Sequence, residues 1–396
     1  MEKKRFILIA TAFSEPGTMG GATKIAIEMV RHLSEHTPAV VIIPSTRLPT
    51  LTANLPLNDQ ITVLTLETFP RNGRLHPFAE TFFYFKQLKH LFAVLNVSAS
   101  DTVFMSSDFL YDALPLFLLK KRFRYTWVTS NFLFVPTPFE NLIKRYGFPF
   151  FLYVIAYIYQ RIIFQLIKWR GDLFVITNDC DRMYFPPKLR PRIFAFYGGV
   201  NIDQIEAVEK ETATIQYDVM FCSRLHPQKG LDQFFDIWAR VVEQRPDAKL
   251  AVIGNGAPHY EQYLRRKAGR LKLGGNVEWL GYVNNEDKYR LYRASRFFVH
   301  PTVYDNNGMV AAEALCTGLW VIMNDLPSLR DVYVDGCTKS DFSDKAATAR
   351  AIAGLLSNPA SCRLPQEVVQ KYRSHWDWKK RVRLFEQFLT DAETQS

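Results

Sequence analysis

Two acidic residues eight positions apart, Asp305 and Glu313, are the side chains of this 396-residue chain whose types and spacing first point to chemistry. Asp305 lies in a predicted loop, Pro301–Asn307, that follows a β-prone run. Open α/β sheets place their ligands at the carboxyl ends of such strands. Glu313 lies more than one turn inside a predicted helix, Met309–Leu315, where a carboxylate among apolar neighbours is costly unless hydrogen bonds satisfy it. The vicinal diol of a ribose would supply two hydroxyl donors; the alternative is a surface acid on a helix beside an acid in a turn.

Two basic residues on an upstream loop, Arg224 and Lys229, form a second candidate group. They follow a short apolar strand, Val219–Cys222, and precede a predicted helix. Two fixed cations on a strand-to-helix loop suit a diphosphate, whereas the alternative is a pair of solvated loop cations. Gly308 opens the helix that carries Glu313, so the N–H groups of its first turn can face an anion.

The cation pair and the acid pair together resemble the donor site of family 4 glycosyltransferases. That family has the α/β GT-B fold, in which two Rossmann-like domains face each other across a cleft. The resemblance covers most of the chain and implies that Arg224 and Lys229 hold the donor diphosphate. It also implies that Glu313 holds the ribose and that Asp305 accepts hydroxyls of the hexose. The backbone N–H groups that would contact sugar and phosphate are those of Asn307, Gly308, Met309 and Val310.

Further donor-proximal positions follow from the same resemblance. Gly20 and Gly21 match a loop that faces the cleft, although a Gly-Gly pair before a helix is by itself typical of a turn. Gly254 matches a position near the nucleotide base, and Tyr282 and Val283 match positions that flank the base.

The sequence departs from the family pattern at three places. Asp305 stands where the family usually has Glu, and is one methylene shorter. Ser223 replaces the glycine that usually precedes the arginine. Ser130 and Asn131 occupy the place where many relatives carry a histidine near the transferred sugar, so any histidine-assisted step is in doubt.

Alternating strand and helix patterns predict a parallel sheet with helices on both faces in each half of the chain. The predicted strands are Phe6–Ala10, Ala39–Ile43, Thr62–Leu66, Thr102–Met105, Tyr125–Val128, Leu173–Ile176, Val219–Cys222, Leu250–Ile253, Val277–Leu280, Phe297–Val299 and Leu319–Met323. Gly198 and Gly199 mark a linker. The resemblance then implies an acceptor-binding domain at 1–200, a nucleotide-sugar-binding domain at 201–375, and a C-terminal helix at 376–396 that crosses back to the first domain. That helix overlaps a basic, aromatic run with a helical pattern, Tyr372–Thr390.

Charge and composition restrict the class of partner. Residues 1–200 hold 23 Lys and Arg against 14 Asp and Glu, so they carry +9 of the net charge of +10. Such asymmetry favours an anionic surface as partner. The aromatic residues lie in apolar runs and do not alternate with cations, which argues against nucleic acid. The five scattered cysteines, with no C-x-x-C, indicate a reducing compartment.

A run of aromatic and aliphatic residues at 148–167 is long enough as a helix to cross a bilayer. A transmembrane helix would split one sheet across the membrane, and Tyr157, Arg161, Gln165 and Lys168 repeat at helical spacing as a polar stripe. The run therefore predicts either a helix lying at a membrane interface, flanked by Lys144 and Arg145 among other cations, or a helix buried in the first domain.

Two short patterns have simpler explanations than the chemistry they imitate. The basic and apolar start of the chain is too short for a signal peptide and predicts a first strand. Asp179-Cys180-Asp181 has the D-x-D form of a metal site, but two acids after a strand are better explained as helix or turn caps.

The resemblance, together with these observations, implies a hexosyltransferase that uses a UDP- or GDP-sugar, needs neither a metal nor a cofactor, and acts on a lipid-linked, glycolipid or polysaccharide acceptor. The resemblance alone implies that the transfer retains the anomeric configuration. We expect the enzyme in the cytoplasm, peripheral on the inner face of the cell membrane. The alternatives are a nucleotide-sugar-binding protein without transferase activity and a sugar-nucleotide epimerase on the same fold.

Overall fold

The computed structural model describes residues 4–16, 19–34, 36–70, 77–139, 150–358 and 362–394. The chain forms two compact units. Among the described residues, the first unit takes those up to 139, 150–198 and 378–394, and the second takes those within 199–377. Each unit contains one parallel sheet.

The sheet of the first unit has seven strands in the order β3-β2-β1-β4-β5-β6-β7. The strands are β1 Phe6–Ile9, β2 Ala39–Pro44, β3 Ile61–Leu66, β4 Thr102–Met105, β5 Thr126–Asn131, β6 Leu173–Ile176 and β7 Ile193–Ala195. Every residue of β1, β2 and β4 is buried, as expected for a parallel sheet covered on both faces. The six strands predicted here are confirmed, with ends that shift by up to three residues. The seventh has only three residues and was missed.

The sheet of the second unit has six strands in the order β10-β9-β8-β11-β12-β13. They are β8 Tyr217–Cys222, β9 Leu250–Ile253, β10 Val277–Gly281, β11 Ser295–His300, β12 Trp320–Asn324 and β13 Cys337–Ser340. The five predicted strands are confirmed. The edge strand β13 was missed because its residues are half-buried and mostly polar, which removes the apolar signal of a central strand.

Helices connect the strands in each unit. The described helices of the first unit are α1 Gly21–His32, α2 Leu48–Asn54, α3 Pro77–Val94, α4 Leu110–Leu119 and α5 Phe150–Arg170. Those of the second unit are α6 Ile202–Glu209, α7 Leu231–Gln244, α8 Pro258–Arg270, α9 Asn285–Arg293, α10 Met309–Cys316, α11 Pro327–Arg330, α12 Lys345–Ser357 and α13 Gln366–Trp376. The last helix, α14 Trp378–Thr394, belongs to the first unit.

The run Tyr372–Thr390 is helical, as predicted, but it divides between two helices, and the helix predicted at 376–396 corresponds to α14. Asp377 has extended backbone angles and interrupts the helical hydrogen bonding. Beyond the break, α14 packs against the first sheet, where the ring of Phe385 makes edge-on contacts with Phe6 at 6.3 Å and Phe104 at 6.2 Å between centroids. These buried aromatic contacts fix the helix on the first unit.

Helix α5 divides into two faces. One face carries Ile163, Phe164 and Ile167, which lie in the core of the first unit, as the prediction of a buried helix requires. The opposite face exposes a row of large apolar side chains at helical spacing, and the row comprises Phe151, Ile155, Ile158, Ile162 and Trp169. In the predicted polar stripe, Gln165 is exposed and Tyr157, Arg161 and Lys168 are half-buried. Lys144 and Arg145 lie outside the described residues, and none of the described helices is both long and apolar enough to cross a membrane.

Candidate functional site

The strand order of the second sheet reverses between β8 and β11. These strands are parallel neighbours, with Phe297 beside Val219 and Phe298 beside Met220, but their next neighbours lie in opposite directions. The loops that follow them, 223–230 and 301–308, therefore leave the same edge of the sheet at a topological switch point. That is where open α/β sheets bind their ligands.

Glycine lets these two loops touch. Gly230 has a φ of 70°, and a Cβ there would lie 2.0 Å from the carbonyl oxygen of Pro301. Gln228 then joins the loops through two hydrogen bonds. Its side-chain amide donates to the Tyr304 carbonyl at 2.6 Å, and its backbone carbonyl accepts from the Val303 N–H at 2.9 Å. The position of Lys229 between Gln228 and Gly230 is thereby fixed against the second loop.

Lys229 and Asp305, the cation and the acid predicted from separate stretches, form an ion pair with 2.7 Å between Nζ and Oδ2. The Nε2 atom of buried His300 lies 3.5 Å from the same carboxylate oxygen. The other oxygen of Asp305 accepts from the backbone N–H groups of Asn306 at 2.9 Å and Gly308 at 3.4 Å. The carboxylate of Asp305 is thus held on both sides.

Electrostatics keep Asp305 ionised. Burial alone would raise its pKa, but the positive charge of Lys229 and the hydrogen bond and charge of His300 hold the pKa well below its usual range. In this structure the carboxylate is engaged by protein groups and not by a sugar. Because both oxygens of Asp305 already have protein partners, the predicted contact with hexose hydroxyls requires these partners to share or release an oxygen.

Gly308 forms the turn into α10 with a φ of 60°. The buried hydroxyl of Tyr333 donates to the carbonyls of Asn307 at 2.7 Å and Gly308 at 2.9 Å, which fixes that turn from beneath. The N–H groups of Met309 and Val310 belong to the first turn of α10 and have no acceptor four residues earlier in the helix. The start of α10 therefore provides a rigid set of donors for an anion.

Glu313 lies on α10 with its side chain only 2% exposed. Its Oε2 is 2.8 Å from the Nζ of Lys288 on α9, whose side chain is 10% exposed. Sequence reasoning missed Lys288. The available signal was a lysine one helical turn before the buried Tyr292, but nothing in the sequence named Glu313 as its partner.

Arg224 is exposed on the loop after β8. The positive charges of Arg224 and Lys229 both act on His226, which lies between them on the loop. The pKa of His226 is lowered, by burial first and then by the positive charges of Arg224 and Lys229. Two cations that both act on one imidazole provide a local positive potential for an anionic ligand.

The turns after β9 and β10 are adjacent to this loop. A Cβ on Gly254 would lie 1.9 Å from the Ser223 carbonyl oxygen, so Gly254 allows a close backbone approach. The N–H of Gly254 donates to the carbonyl of Gly281 at 2.8 Å, just before Tyr282 and Val283. Tyr282 is 70% exposed, so its ring is free to cover a ligand at this edge.

The glycine pair of the first unit is arranged differently from expectation. The N–H of Gly20 donates to the Ser14 hydroxyl at 2.8 Å, and Ser14 in turn contacts the Thr23 hydroxyl at 3.0 Å. Of the two glycines, Gly21 is the exposed first residue of α1, so its N–H is one of those that a helix start leaves without an intrahelical acceptor. The predicted role of Gly20 as an N–H donor to a ligand would require the bond to Ser14 to break.

Ser130 and Asn131 end strand β5 and are buried, at 0% and 1% exposed. Asn131 lies beside Asp108, which follows β4, and Asp108 accepts a hydrogen bond from Gln160 at 2.8 Å. Sequence reasoning missed Asp108 and Gln160. Gln160 has apolar neighbours at helical spacing on α5. A glutamine on the apolar face of a predicted helix was the signal that could have indicated a buried polar contact.

The D-x-D segment starts a short 3₁₀ helix, Asp179–Tyr184, but the prediction that its acids act as caps is wrong. The cap itself is Asn178, whose side chain accepts from the Cys180 N–H at 3.0 Å. Asp179 pairs with Arg182 at 2.5 Å and accepts from the Tyr197 hydroxyl at 2.8 Å. Its carboxylate therefore has local partners.

Sequence comparison finds that the second unit is similar to glycosyltransferases. Residues 203–375 match the family model for glycosyl transferases group 1. A phosphatidyl-myo-inositol mannosyltransferase of Mycobacterium leprae is 30% identical over 190 residues, 46% of this chain and 50% of that protein. An uncharacterized glycosyltransferase of Methanocaldococcus jannaschii is 31% identical over 114 residues, 29% of this chain and 28% of that protein. These matches span half or less of the relatives' own length.

Structural comparison covers nearly the whole chain. Sucrose-phosphate synthase from Thermosynechococcus elongatus superposes with a TM-score of 0.76 at 17% identity, over 99% of this chain and 100% of that one. Anabaena HepE in complex with UDP and glucose gives a TM-score of 0.70 at 16% identity, over 98% and 99% of the two chains. At such identities the likeness shows the fold, and it confirms the predicted α/β GT-B fold with two Rossmann-like units. Residues 203–375 of this chain are therefore similar to the group 1 glycosyl transferases.

Proposed function

We propose that the protein is a retaining, metal-independent hexosyltransferase of family 4 that takes its hexose from a nucleoside diphosphate sugar. The observation that carries the proposal is the Lys229–Asp305 ion pair of 2.7 Å at the switch point of the second sheet. It joins the loop that carries Arg224 to the loop that opens α10, so cations and helix N–H groups converge on one edge. Such an arrangement suits a diphosphate leaving group, whose negative charge grows during transfer.

Each residue of the proposed donor site has a role that its surroundings support. Arg224 and Lys229 neutralise the diphosphate, with the first-turn N–H groups of α10 as further donors. Glu313 accepts hydrogen bonds from the ribose hydroxyls, and Asp305 accepts from the hexose. Tyr282 and Val283 cover the base. Anabaena HepE binds UDP and glucose, which favours a uridine nucleotide as the first donor to test.

Two substitutions test this site. Lys229→Ala and Glu313→Ala should each lower kcat/KM by roughly 100-fold or more, a loss on the order of 3 kcal/mol of transition-state stabilisation. Lys345→Ala is the matched control, because Lys345 makes an ion pair of the same 2.7 Å length with Asp236 elsewhere in the second unit. Near-normal turnover by both site variants would refute the assignment. Binding of UDP- or GDP-sugars without transfer or hydrolysis would favour the binding-protein alternative.

We further propose that the acceptor is lipid-linked and that the exposed face of α5 rests on an anionic membrane. The exposed apolar side chains of that face include Trp169 at 74% and Phe151 at 73%. Helix α5 carries Arg161, Lys168 and Arg170 and no acidic residue, so its charge is complementary to anionic lipid. The named activity of the mycobacterial relative is transfer to a phosphatidylinositol, which is consistent with such an acceptor.

Flotation with phosphatidylglycerol vesicles tests the membrane contact. Wild type should float at low salt and dissociate as salt is raised. Ile158→Glu and Ile162→Glu should abolish flotation, whereas Val334→Glu should not, because Val334 is as exposed as Ile162 (61% against 59%) but lies in the second unit. Equal flotation by all variants would refute this surface and leave the donor site unaffected. A concentration-dependent dimer lost in Ile162→Glu would assign the face to a second copy instead.

A further inference from the structure

Arg161 lies near the middle of α5, in the first unit, and three aromatic rings approach its guanidinium. The Cζ atom lies 4.9 Å from the ring centroid of Tyr157, 5.1 Å from that of Tyr184 and 5.9 Å from that of Phe134. The face of an aromatic ring attracts a cation but carries no net charge. The three rings therefore hold the guanidinium in one place without neutralising it.

No acid neutralises Arg161 in the part of the chain that the structure describes. Its Nε–H is buried and has no hydrogen-bond acceptor, and the side chain forms no hydrogen bond or ion pair with another described residue. Asp179, on the 3₁₀ helix that carries Tyr184, is already paired with Arg182 and the Tyr197 hydroxyl. A half-buried charge is usually paired, so Arg161 has capacity for an anion from outside the chain.

The charge of α5 favours such an anion. The helix contains no Asp or Glu, and Lys168 follows Arg161 after two turns. The pKa of Lys168 is lowered, by burial first and then by the positive charge of Arg161. The two cations therefore repel one another, and a negative charge bound beside them would offset that repulsion.

Apolar side chains beside Arg161 restrict what can carry the anion. Ile158 and Ile162 flank it on the exposed side of α5, with 52% and 59% of their surface exposed, and Met183 on the 3₁₀ helix is 72% exposed. A nucleic acid or a phosphorylated peptide would place polar groups against these side chains. A membrane lipid places a phosphate next to acyl chains, so it matches the cation and the apolar surface together.

We propose that Arg161 binds the phosphodiester of an anionic membrane lipid, while the rings of Tyr157, Tyr184 and Phe134 hold its guanidinium in position. The planar fork of N–H donors fits two phosphate oxygens, which the single ammonium of a lysine does not. The inference rests on the proposed membrane contact of α5 and names the headgroup chemistry that this contact recognises. A free phosphate offers the same oxygens, and the titrations below separate the two sources.

The first experiment titrates the full chain with dihexanoylphosphatidylglycerol, below its micelle-forming concentration, by calorimetry. Arg161→Lys keeps the charge but loses the fork, so its affinity should fall by about fivefold or more. Arg265→Lys is the matched control and should bind as wild type does. Arg265 also stacks over an aromatic ring, that of Trp279 at 4.6 Å, but it lies in the second unit. Equal affinity in wild type and Arg161→Lys, or no binding by wild type, would overturn the proposal.

Inorganic phosphate at matched ionic strength identifies the source of the anion. It should bind far more weakly than the lipid, because it has no acyl chains to cover Ile158 and Ile162. Inorganic phosphate that binds as tightly as the lipid, and no longer binds to Arg161→Lys, would assign the site to a free phosphate and overturn the lipid assignment.

Tyr184→Leu tests the aromatic rings separately from the charge. Tyr184 is 37% exposed, so its replacement should leave the melting temperature near that of wild type but weaken binding of the soluble lipid. Unchanged lipid affinity in this variant would show that the ring does not position Arg161.

Flotation with phosphatidylglycerol vesicles then relates the site to the membrane. At a salt concentration at which about half of the wild type floats, Arg161→Lys should float less and Arg265→Lys should float equally. Failure of wild type to float would count against the proposed membrane contact, while the titration with soluble lipid would still decide the role of Arg161.

Discussion

The ammonium of Lys288 lies 2.8 Å from the carboxylate of Glu313, and both side chains are buried. This ion pair explains how a buried carboxylate in the second unit is stabilised in the absence of a ligand. Removing two charges from water costs several kcal/mol, and only a close partner with good geometry offsets that cost. A ribose that donates hydroxyls to Glu313 would therefore bind a carboxylate whose charge and position are already fixed.

Breaking this pair should damage both stability and donor binding. Lys288→Met leaves Glu313 buried without its cation, so we expect the free energy of unfolding to fall by about 3 kcal/mol. Urea denaturation measures that loss, and titration with UDP or GDP measures the loss of affinity. The double variant Lys288→Met, Glu313→Gln should regain much of the stability but none of the donor affinity. Equal stability of the single and double variants would contradict the ion-pair account.

Asp305 should make stability depend on pH in the acid range. Lys229 and His300 hold the pKa of Asp305 below its usual range, so its stabilising contribution is complete above about pH 4 and is lost as the pH falls towards the folded-state pKa. Asp305→Asn keeps an oxygen for the N–H groups of Asn306 and Gly308 but loses the charge. We expect it to be less stable than wild type by about 3 kcal/mol at pH 7, with a difference that shrinks below pH 4. A pH-independent difference would rule out the charge as the cause.

The sequence carried enough information for the sheets and for one side of the site. Strands such as Phe6–Ile9 and Leu250–Ile253 are buried along their whole length, so their apolar runs are sufficient for recognition. Lys229 and Asp305 were found from local spacing. Their ion pair follows from topology, because the strands before them are parallel neighbours whose loops leave the same edge.

The remaining site residues depend on contacts that local sequence does not encode. Lys288 and Glu313 meet only because α9 packs near α10, and Asp108 meets Gln160 across 52 positions of chain. The helix break at Asp377 was missed because the flanking residues keep a helical pattern, and the extended angles of Asp377 accompany the passage of the chain between units. Tertiary context determines each of these features.

Asp108 should affect stability with the opposite pH dependence. Burial raises its pKa to about 6, against the opposing hydrogen bonds from Gln160, its own backbone and Asn131. The neutral carboxyl is favoured in the fold, so its contribution is complete below about pH 4 and is lost as the pH rises through about 6. We expect Asp108→Asn to become more stable than wild type over that interval, by an amount on the order of 3 kcal/mol at pH 7.

Thermal unfolding of both proteins from pH 4 to pH 8 measures this difference. Asp59→Asn is the control, because Asp59 is exposed and its removal should change the free energy of unfolding by less than about 0.5 kcal/mol at any pH. The groups that face Asp108, namely Asp112, Glu80 and Tyr159, are the same in wild type and variant. A difference that is constant with pH would show that Asp108 is not the titrating group.

Gly230 should be intolerant of even a methyl group, and the effect should reach the donor site. Gly230→Ala forces a φ of 70° on a residue with a Cβ and places that Cβ 2.0 Å from the Pro301 carbonyl oxygen. The left-handed conformation alone costs about 1–2 kcal/mol, and the contact adds to it by pushing apart the two loops that Gln228 joins. Lys229 would move with its loop, so the variant should lose both stability and affinity for UDP or GDP.

Gly354→Ala is the matched control, because Gly354 is exposed inside α12 with nothing within 4 Å of a new Cβ. Its free energy of unfolding should rise by about 0.5–1 kcal/mol. A Gly230→Ala protein that binds nucleotide normally would mean that the close approach of the two loops does not position Lys229, and the geometry of the proposed donor site would have to be assigned to other contacts.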